Sequence, residues 1–157
     1  MEFTSTVDIV ASVERVWACL TEPDLQRQWR TQIVAQRDID PGPPMPGSRF
    51  EIDLRERGRL ITSPGEYLVV DPPRELRLRL DYQGKFPLPI EVAYTLRRNG
   101  YRTNLEYRQL VDYSLFSTML RWFVWVYSPL TRWQLQRVMR QSWDKLRQVA
   151  EGGKGAG

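Results

Sequence analysis

Residues 2–10 alternate, with Phe3, Ser5, Val7 and Ile9 on one side and Glu2, Thr4, Thr6 and Asp8 on the other. That is the period of a half-buried strand. Ser12 then stands as an N-cap, and Val13, Val16, Trp17 and Leu20 recur at i, i+3, i+4 and i+7, which predicts a short amphipathic helix. Thr21-Glu22-Pro23 restarts the chain with Pro23 at a first helical position, and a second short helix follows as far as Trp29.

From residue 32 the pattern is one of strands and turns. Residues 32–40 read as a strand, followed by a stiff loop over 41–47 that holds four prolines. Phe50, Ile52 and Leu54 alternate with Glu51, Asp53 and Arg55; residues 66–70 form another short strand; Asp71-Pro72-Pro73-Arg74 is a turn. Leu76, Leu78, Leu80 and Tyr82 alternate with Arg77, Arg79 and Asp81, and Ile90, Val92, Tyr94 and Leu96 repeat the pattern. Asn99-Gly100 is a hairpin signal. Thr103, Leu105, Tyr107, Gln109 and Val111 then alternate with Arg102, Asn104, Glu106 and Arg108. The period switches to helical over 131–150, where Leu135, Val138, Met139, Ser142, Trp143, Leu146 and Val149 share a face. A Gly-rich tail, 152–157, reads as disordered.

One strand, two short helices, six consecutive strands and one long helix make an α+β domain over residues 1–151, with a single antiparallel sheet. One segment resists this scheme. Over residues 115–127 the apolar side chains cover nearly the whole helical wheel, so something must bury them. The segment is too short to span a bilayer, which needs about 20 apolar residues. Three placements suit it, in this order: burial in the fold as an extension of the last helix broken near Pro129; a dimer contact or lid; and a membrane–water interface, to which Trp122, Phe123 and Trp125 beside Arg121 and Arg132 are suited.

Composition removes several chemistries. The 157 residues include no His and one Cys, which excludes Cys/His zinc sites, Ser-His-Asp and Cys-His catalysis, and a His pH switch. No metal or cofactor is expected. Cys19 has no disulfide partner, which fits a reducing cytoplasm, and the N-terminus lacks the pattern of a signal peptide. The formal charge of +4 is uneven: residues 1–112 carry 16 Lys or Arg against 17 Asp or Glu, while residues 113–157 carry 7 against 2. An anionic partner belongs at that C-terminal end. No basic block or nucleic-acid motif accompanies the charge, so nucleic acid is not an expected partner.

Several local pieces occur in an order that resembles the START-like (SRPBCC) superfamily. They are Ile9-Val10-Ala11-Ser12 with Val16-Trp17, then Pro23 and Trp29, Pro46-Gly47-Ser48-Arg49-Phe50, Asp71-Pro72-Pro73-Arg74 with Leu76, and Thr103 with Leu105. That superfamily includes birch-pollen-allergen-like proteins and polyketide cyclase/dehydrase and lipid-transport proteins. The resemblance implies a helix-grip fold: a curved seven-stranded sheet around the C-terminal helix, closed at one end by two short helices, with a deep apolar cavity between sheet and helix.

Apolar stripes ordinarily fill a solid core. A curved sheet around one helix leaves more space than the helix fills, so a cavity is expected here, lined by Phe50, Leu54, Tyr67, Leu78, Tyr82, Tyr94, Tyr107, Met139 and Trp143. Trp29 and the 41–47 loop stand at its entrance, unless Trp29 only staples the second helix to the sheet. The tyrosine hydroxyls would meet a ligand oxygen or a water. Glu51, Asp53, Asp81, Glu91 and Glu106 fall on the outer phase, as do Arg77, Arg79, Arg102 and Arg108, whereas Arg37 and Arg49 have ambiguous phases. Cys19 reads as a small inert thiol. The leading expectation is a non-catalytic binder or carrier of a hydrophobic small molecule such as a lipid, isoprenoid or polyketide. The second is a polyketide-cyclase-like enzyme using Arg and Tyr in the same cavity, and the third an accessory protein docking through residues 115–133.

Overall fold

The chain folds as β1 (Glu2–Ile9), α1 (Val13–Thr21), α2 (Pro23–Trp29), β2 (Ile33–Asp38), β3 (Arg49–Glu56), β4 (Arg59–Asp71), β5 (Glu75–Tyr82), β6 (Leu88–Asn99), β7 (Arg102–Val111) and α3 (Thr118–Gly152). The structure is a computed structural model that describes residues 1–114 and 116–152, without the side chains at 120, 123, 124, 127, 128, 130 and 131. The strands form one seven-stranded antiparallel sheet in the order β1-β7-β6-β5-β4-β3-β2. With α3 lying over it and α1 and α2 beside one end, this is the helix-grip α+β arrangement.

Local chemistry explains most of the boundaries. Arg15 N donates to the Ser12 Oγ cap at 3.2 Å, and Pro23 opens α2. Arg57 and Gly58, both at positive φ (48° and 78°), make the two-residue turn between Glu56 and Arg59. At the Asn99-Gly100 signal, Asn99 is the last paired residue of β6, opposite Arg102, and Gly100 at φ 63° begins the turn. Register shifts at Ile33/Ala35 and Tyr67/Val69 add the bulges that help a sheet curve.

Two elements differ from expectation. The strand expected at 66–70 is the end of β4, which runs 13 residues. Apolar residues on both faces and the Pro64-Gly65 pair conceal its period. Gly65 is required there because a Cβ would lie 2.3 Å from the Phe50 ring and 2.9 Å from the Arg79 carbonyl oxygen. The last helix begins at Thr118 rather than 131 and passes through Pro129 unbroken. An internal proline costs about 3 kcal/mol.

The core joins α1, α2 and the C-terminal half of α3 to the sheet. Ile9, Val16, Leu20, Phe50, Leu76, Leu105 and Leu146 are fully or almost fully buried. The inner face of α3 is the expected one, with Trp143 and Leu146 buried and Met139 and Val149 packed against the core. Its last turns are tied down: Val10 N donates to Glu151 Oε1 at 2.9 Å, and Arg147 Nε donates to the Asp8 carbonyl at 3.0 Å. Cys19 is wholly buried in α1, and burial raises its thiol pKa, as suits an inert side chain.

The first half of α3 behaves otherwise. Burial of residues 115–127 within the fold, the first of the three placements, is corrected for the described side chains: Met119, Trp122, Trp125 and Val126 are exposed. The contacts of the helix with the rest of the fold are with α1, α2 and β1. Leu115 and the Phe123 side chain lie outside the described residues.

Candidate functional site

Cross-strand register assembles the inner wall. Leu78 faces Val92, which faces Gln109; Leu80 faces Ile90; Leu76 faces Tyr94, which faces Tyr107. Because side chains alternate across a strand, each row presents like chemistry to α3. Over this wall α3 places Leu135, Val138, Met139 and Ser142, and a cavity of about 470 Å³ remains between them. That size lies within the usual range of small-molecule sites, about 300–1,000 Å³.

Seven of the ten residues expected around the cavity line it: Trp29, Leu54, Leu78, Tyr82, Tyr94, Tyr107 and Met139. Phe50, Tyr67 and Trp143 are packed in solid core beside it instead. Phe50 lies over Gly65 with its ring 4.8 Å from that of Tyr67. Trp143 is wedged between Trp29, 6.0 Å away, and Tyr107, 5.2 Å away, so α3 closes onto the sheet at that level. Trp29 lies at the cavity, and the staple it makes is to α1 rather than to the sheet. Its Nε1 donates to the Cys19 carbonyl at 2.8 Å, joining α2 to α1, while its ring forms part of the wall. The 41–47 loop does not line the cavity.

The tyrosine hydroxyls have protein partners where ligand or water was expected. Tyr82 donates to the Glu56 carboxylate, and Tyr107 donates to Gln109 Oε1 at 2.6 Å. Tyr67 accepts from Gln36 Nε2 at 2.9 Å and donates to Asp38 at 3.4 Å. Burial, reinforced by Glu56, pushes the Tyr82 hydroxyl up to about 12. Burial is also the main cause that lifts Tyr67 and Tyr107 above the ordinary phenol range. Tyr94 is different, because Arg30 Nη2 donates to its oxygen. Arginine has only donors, so the proton of Tyr94 is not used in that bond.

Arg30 is the residue that pattern reading missed. It caps α2 and lines the cavity, with its guanidinium 4.9 Å from the Trp29 ring centroid and 5.6 Å from that of Tyr94. It forms no ion pair with a described residue. A cation directly after an inward Trp was the only available signal. The other polar lining groups are neutral: Thr31, Gln32, Gln109, Gln134, Ser142 and the tyrosines. No carboxylate is among the described lining residues.

The outer face takes the charges. Arg77 pairs with Glu75 and Glu91, Arg79 with Glu66, and Arg108 with Glu2. Exposed pairs of this kind contribute about 0–1 kcal/mol each, so they decorate the sheet rather than hold it. Arg49 pairs with Asp40 and Arg37 with Glu51 and Asp53, which settles both ambiguous phases as outward. Asp53 is not the solvated carboxylate expected, being only 8% exposed. Arg37 grips both its oxygens and Thr62 Oγ1 donates to it at 2.7 Å, so it is covered from the outer side of the sheet.

Of the residues expected at a partner surface, Trp122 is exposed, and Arg121, Trp125 and Arg132 border a second recess of about 560 Å³ beside the end of β7. No helix among the described residues is long and apolar enough to cross a membrane.

Known proteins share this fold. The model of a family described as polyketide cyclase / dehydrase and lipid transport matches residues 1–151. No curated protein matches. Among solved structures the chain is similar to a protein from Thermus thermophilus, with TM-score 0.72 and 12% identity over 98% of this chain and 99% of that one. It is also similar to a protein from Nitrosomonas europaea, with TM-score 0.69 and 16% identity over 99% and 97%. A third is DynU16, a protein in the dynemicin biosynthetic locus, with TM-score 0.66 and 18% identity over 97% of this chain and 48% of that one. At these identities the likeness is one of fold.

Proposed function

Because the chain belongs to the polyketide cyclase/dehydrase and lipid-transport family, we propose that it binds a hydrophobic small molecule in the cavity under α3 and holds it without turnover. The observation that carries this reading is the make-up of the cavity: apolar walls on β5, β6 and α3, with one cationic corner at Arg30 and Tyr94. Apolar walls supply affinity in proportion to the area they remove from water. The corner supplies direction. A ligand oxygen placed there receives the Tyr94 proton and lies beside the Arg30 charge, so a carbonyl, enolate or carboxylate end is favoured.

Three features favour binding over catalysis. No Asp, Glu, Lys or Cys is among the described cavity-lining residues, so none of these lies directly against a bound ligand. The Tyr82 and Tyr107 hydroxyls already donate within the protein, and both are raised away from neutrality. The remaining polar lining groups, Thr31, Gln32, Gln109, Gln134 and Ser142, are neutral and do not act as acids or bases near neutral pH. The buried, unpaired Cys19 supports a reducing cytoplasm as the setting.

Native mass spectrometry of the freshly purified chain, with extraction of whatever copurifies, tests the proposal directly. We expect an apolar molecule bearing at least one oxygen function. Empty protein, combined with no thermal shift across a panel of fatty acids, isoprenoids and aromatic polyketides, would overturn it. Conversion of a panel member to a new product would replace it with the cyclase-like reading.

A further inference from the structure

The first half of α3 carries an exposed apolar stripe. Met119, Trp122, Trp125, Val126 and Trp133 are 84%, 64%, 74%, 43% and 57% exposed. At 3.6 residues per turn they share about a third of the helix circumference. The cavity-facing Leu135 and Val138 fall on the opposite side, so the stripe is not a displaced part of the inner face. A contiguous aromatic surface of this kind marks a contact with something else.

Charge decides what that something is. On the same helical projection Arg121 and Arg132 flank one side of the stripe and Arg137 the other, with the Arg137 guanidinium 5.8 Å from the Trp133 ring centroid. No Asp or Glu occurs between residues 113 and 143. A second copy of the chain, joined about a two-fold axis through this face, would set these arginines against their own kind. A bilayer with acidic headgroups complements them. Indole rings at the boundary keep their faces in the acyl region and their N–H groups wet, while arginines just above meet phosphate. The recess of about 560 Å³ is lined by Arg121 and Arg132 with Trp125, and by one carboxylate, Asp112, which already accepts from Ser114 N at 2.8 Å; two arginines against one acid leave it net positive, with room for a headgroup at that level.

We infer that this face of α3 docks the protein on an anionic lipid surface, with Trp122, Trp125 and Trp133 in the headgroup–acyl boundary and Arg121 and Arg132 on lipid phosphates. The contact is peripheral, and it does not depend on what the cavity holds.

The test is cosedimentation of the full chain with phosphatidylcholine vesicles, with and without phosphatidylglycerol. We expect capture by the phosphatidylglycerol vesicles that weakens as salt rises. Trp122→Ala combined with Trp133→Ala weakens it at least about tenfold, from the apolar area lost. Arg121→Gln and Arg132→Gln weaken it about fivefold each. Tyr101→Ala, at an exposed position in the β6–β7 hairpin, leaves it unchanged. Circular dichroism of each variant matches the parent, because every altered side chain is exposed. Failure to bind phosphatidylglycerol vesicles overturns the inference, as does binding that the Trp and Arg variants do not alter. A dimer in sedimentation velocity that Trp122→Ala dissociates also overturns it, since a second copy would then cover the stripe.

Discussion

Arg30 donates to the hydroxyl oxygen of Tyr94 from above its ring, so the one charged group among the described cavity-lining residues also leaves the tyrosine proton free to act as a donor. Of the four inward tyrosines described above, this is the only one whose proton is not given to Gln109, Asp38 or Glu56. Recognition of a ligand oxygen therefore converges on two side chains.

Tyr94→Phe keeps the ring and removes only that donor. With anilinonaphthalene sulfonate as an apolar anionic probe, we expect affinity to fall about 2- to 12-fold, the range of one hydrogen bond. Arg30→Leu should lower affinity for this anionic probe more than for a neutral analogue. Equal effects on both probes in fluorescence titrations would show that the corner does not read charge.

Leu80→Trp adds volume to the wall at a half-buried position on the rim of the core. We expect probe binding to be lost while Tm holds or rises, because the indole occupies space that is otherwise open. Calorimetry and titration on the same sample check this. Retained binding would mean the probe sits elsewhere.

Gly65→Ala places a Cβ 2.3 Å from the Phe50 ring and 2.9 Å from the Arg79 carbonyl. Overpacking of this kind costs about 1–3 kcal/mol, which for a chain of this length lowers Tm by about 2–4 °C per kcal/mol. Phe50→Leu in the same chain should recover part of that loss, since the backbone contact to Arg79 remains. A thermal melt that shows no loss for Gly65→Ala would mean the ring yields without strain.

Arg37 and Thr62 hold the Asp53 carboxyl down, from 3.8 to about 2. A folded-state pKa below the unfolded one stabilises the fold above the unfolded value, and that contribution is lost as pH falls through the folded one. Stability should therefore drop between about pH 4 and about pH 2. Asp53→Asn should be less stable at neutral pH and show a shallower drop in that window. Asp40 and Asp112, also lowered, by Arg49 and by Ser114 respectively, leave a residual slope. Denaturant midpoints across the acid range measure it, and parallel profiles for the two proteins would remove Asp53 as a cause.

The alternation of Leu76 to Tyr82, Ile90 to Leu96 and Thr103 to Val111 was sufficient to read three strands, their inward faces and the outward arginines. Each of those facts depends on neighbours two positions away. The N-terminal boundary of β4 was not legible, because Pro64 and Gly65 discourage a strand locally, and the pairing that holds them extended comes from Glu51 and Phe50 on β3. Asp53 looked solvated because its cover comes from Arg37 and Thr62 on neighbouring strands. Arg30 belongs to no periodic pattern and acquires meaning only where Tyr94, 64 residues later, arrives beside it. The exposure of Trp122 could not be read from a helical wheel, which says that a surface is apolar but not how far the sheet beneath extends.

The first strand of the sheet closes against the last. Glu2 pairs with Leu110 and Ile9 with Thr103, so every ladder bond of β1 spans 94 to 108 residues. During synthesis β1 emerges first and has no partner in this sheet until β7 follows. The strands β2 to β6, each paired with its neighbour in sequence, can assemble in the interval. Closure of the sheet, and with it the seat of α3 on β1, is thereby deferred until β7 has been made. Contacts of such long separation make folding slow, and the alternating Glu2, Thr4, Thr6 and Asp8 keep the waiting strand polar on one face for as long as it has no neighbour.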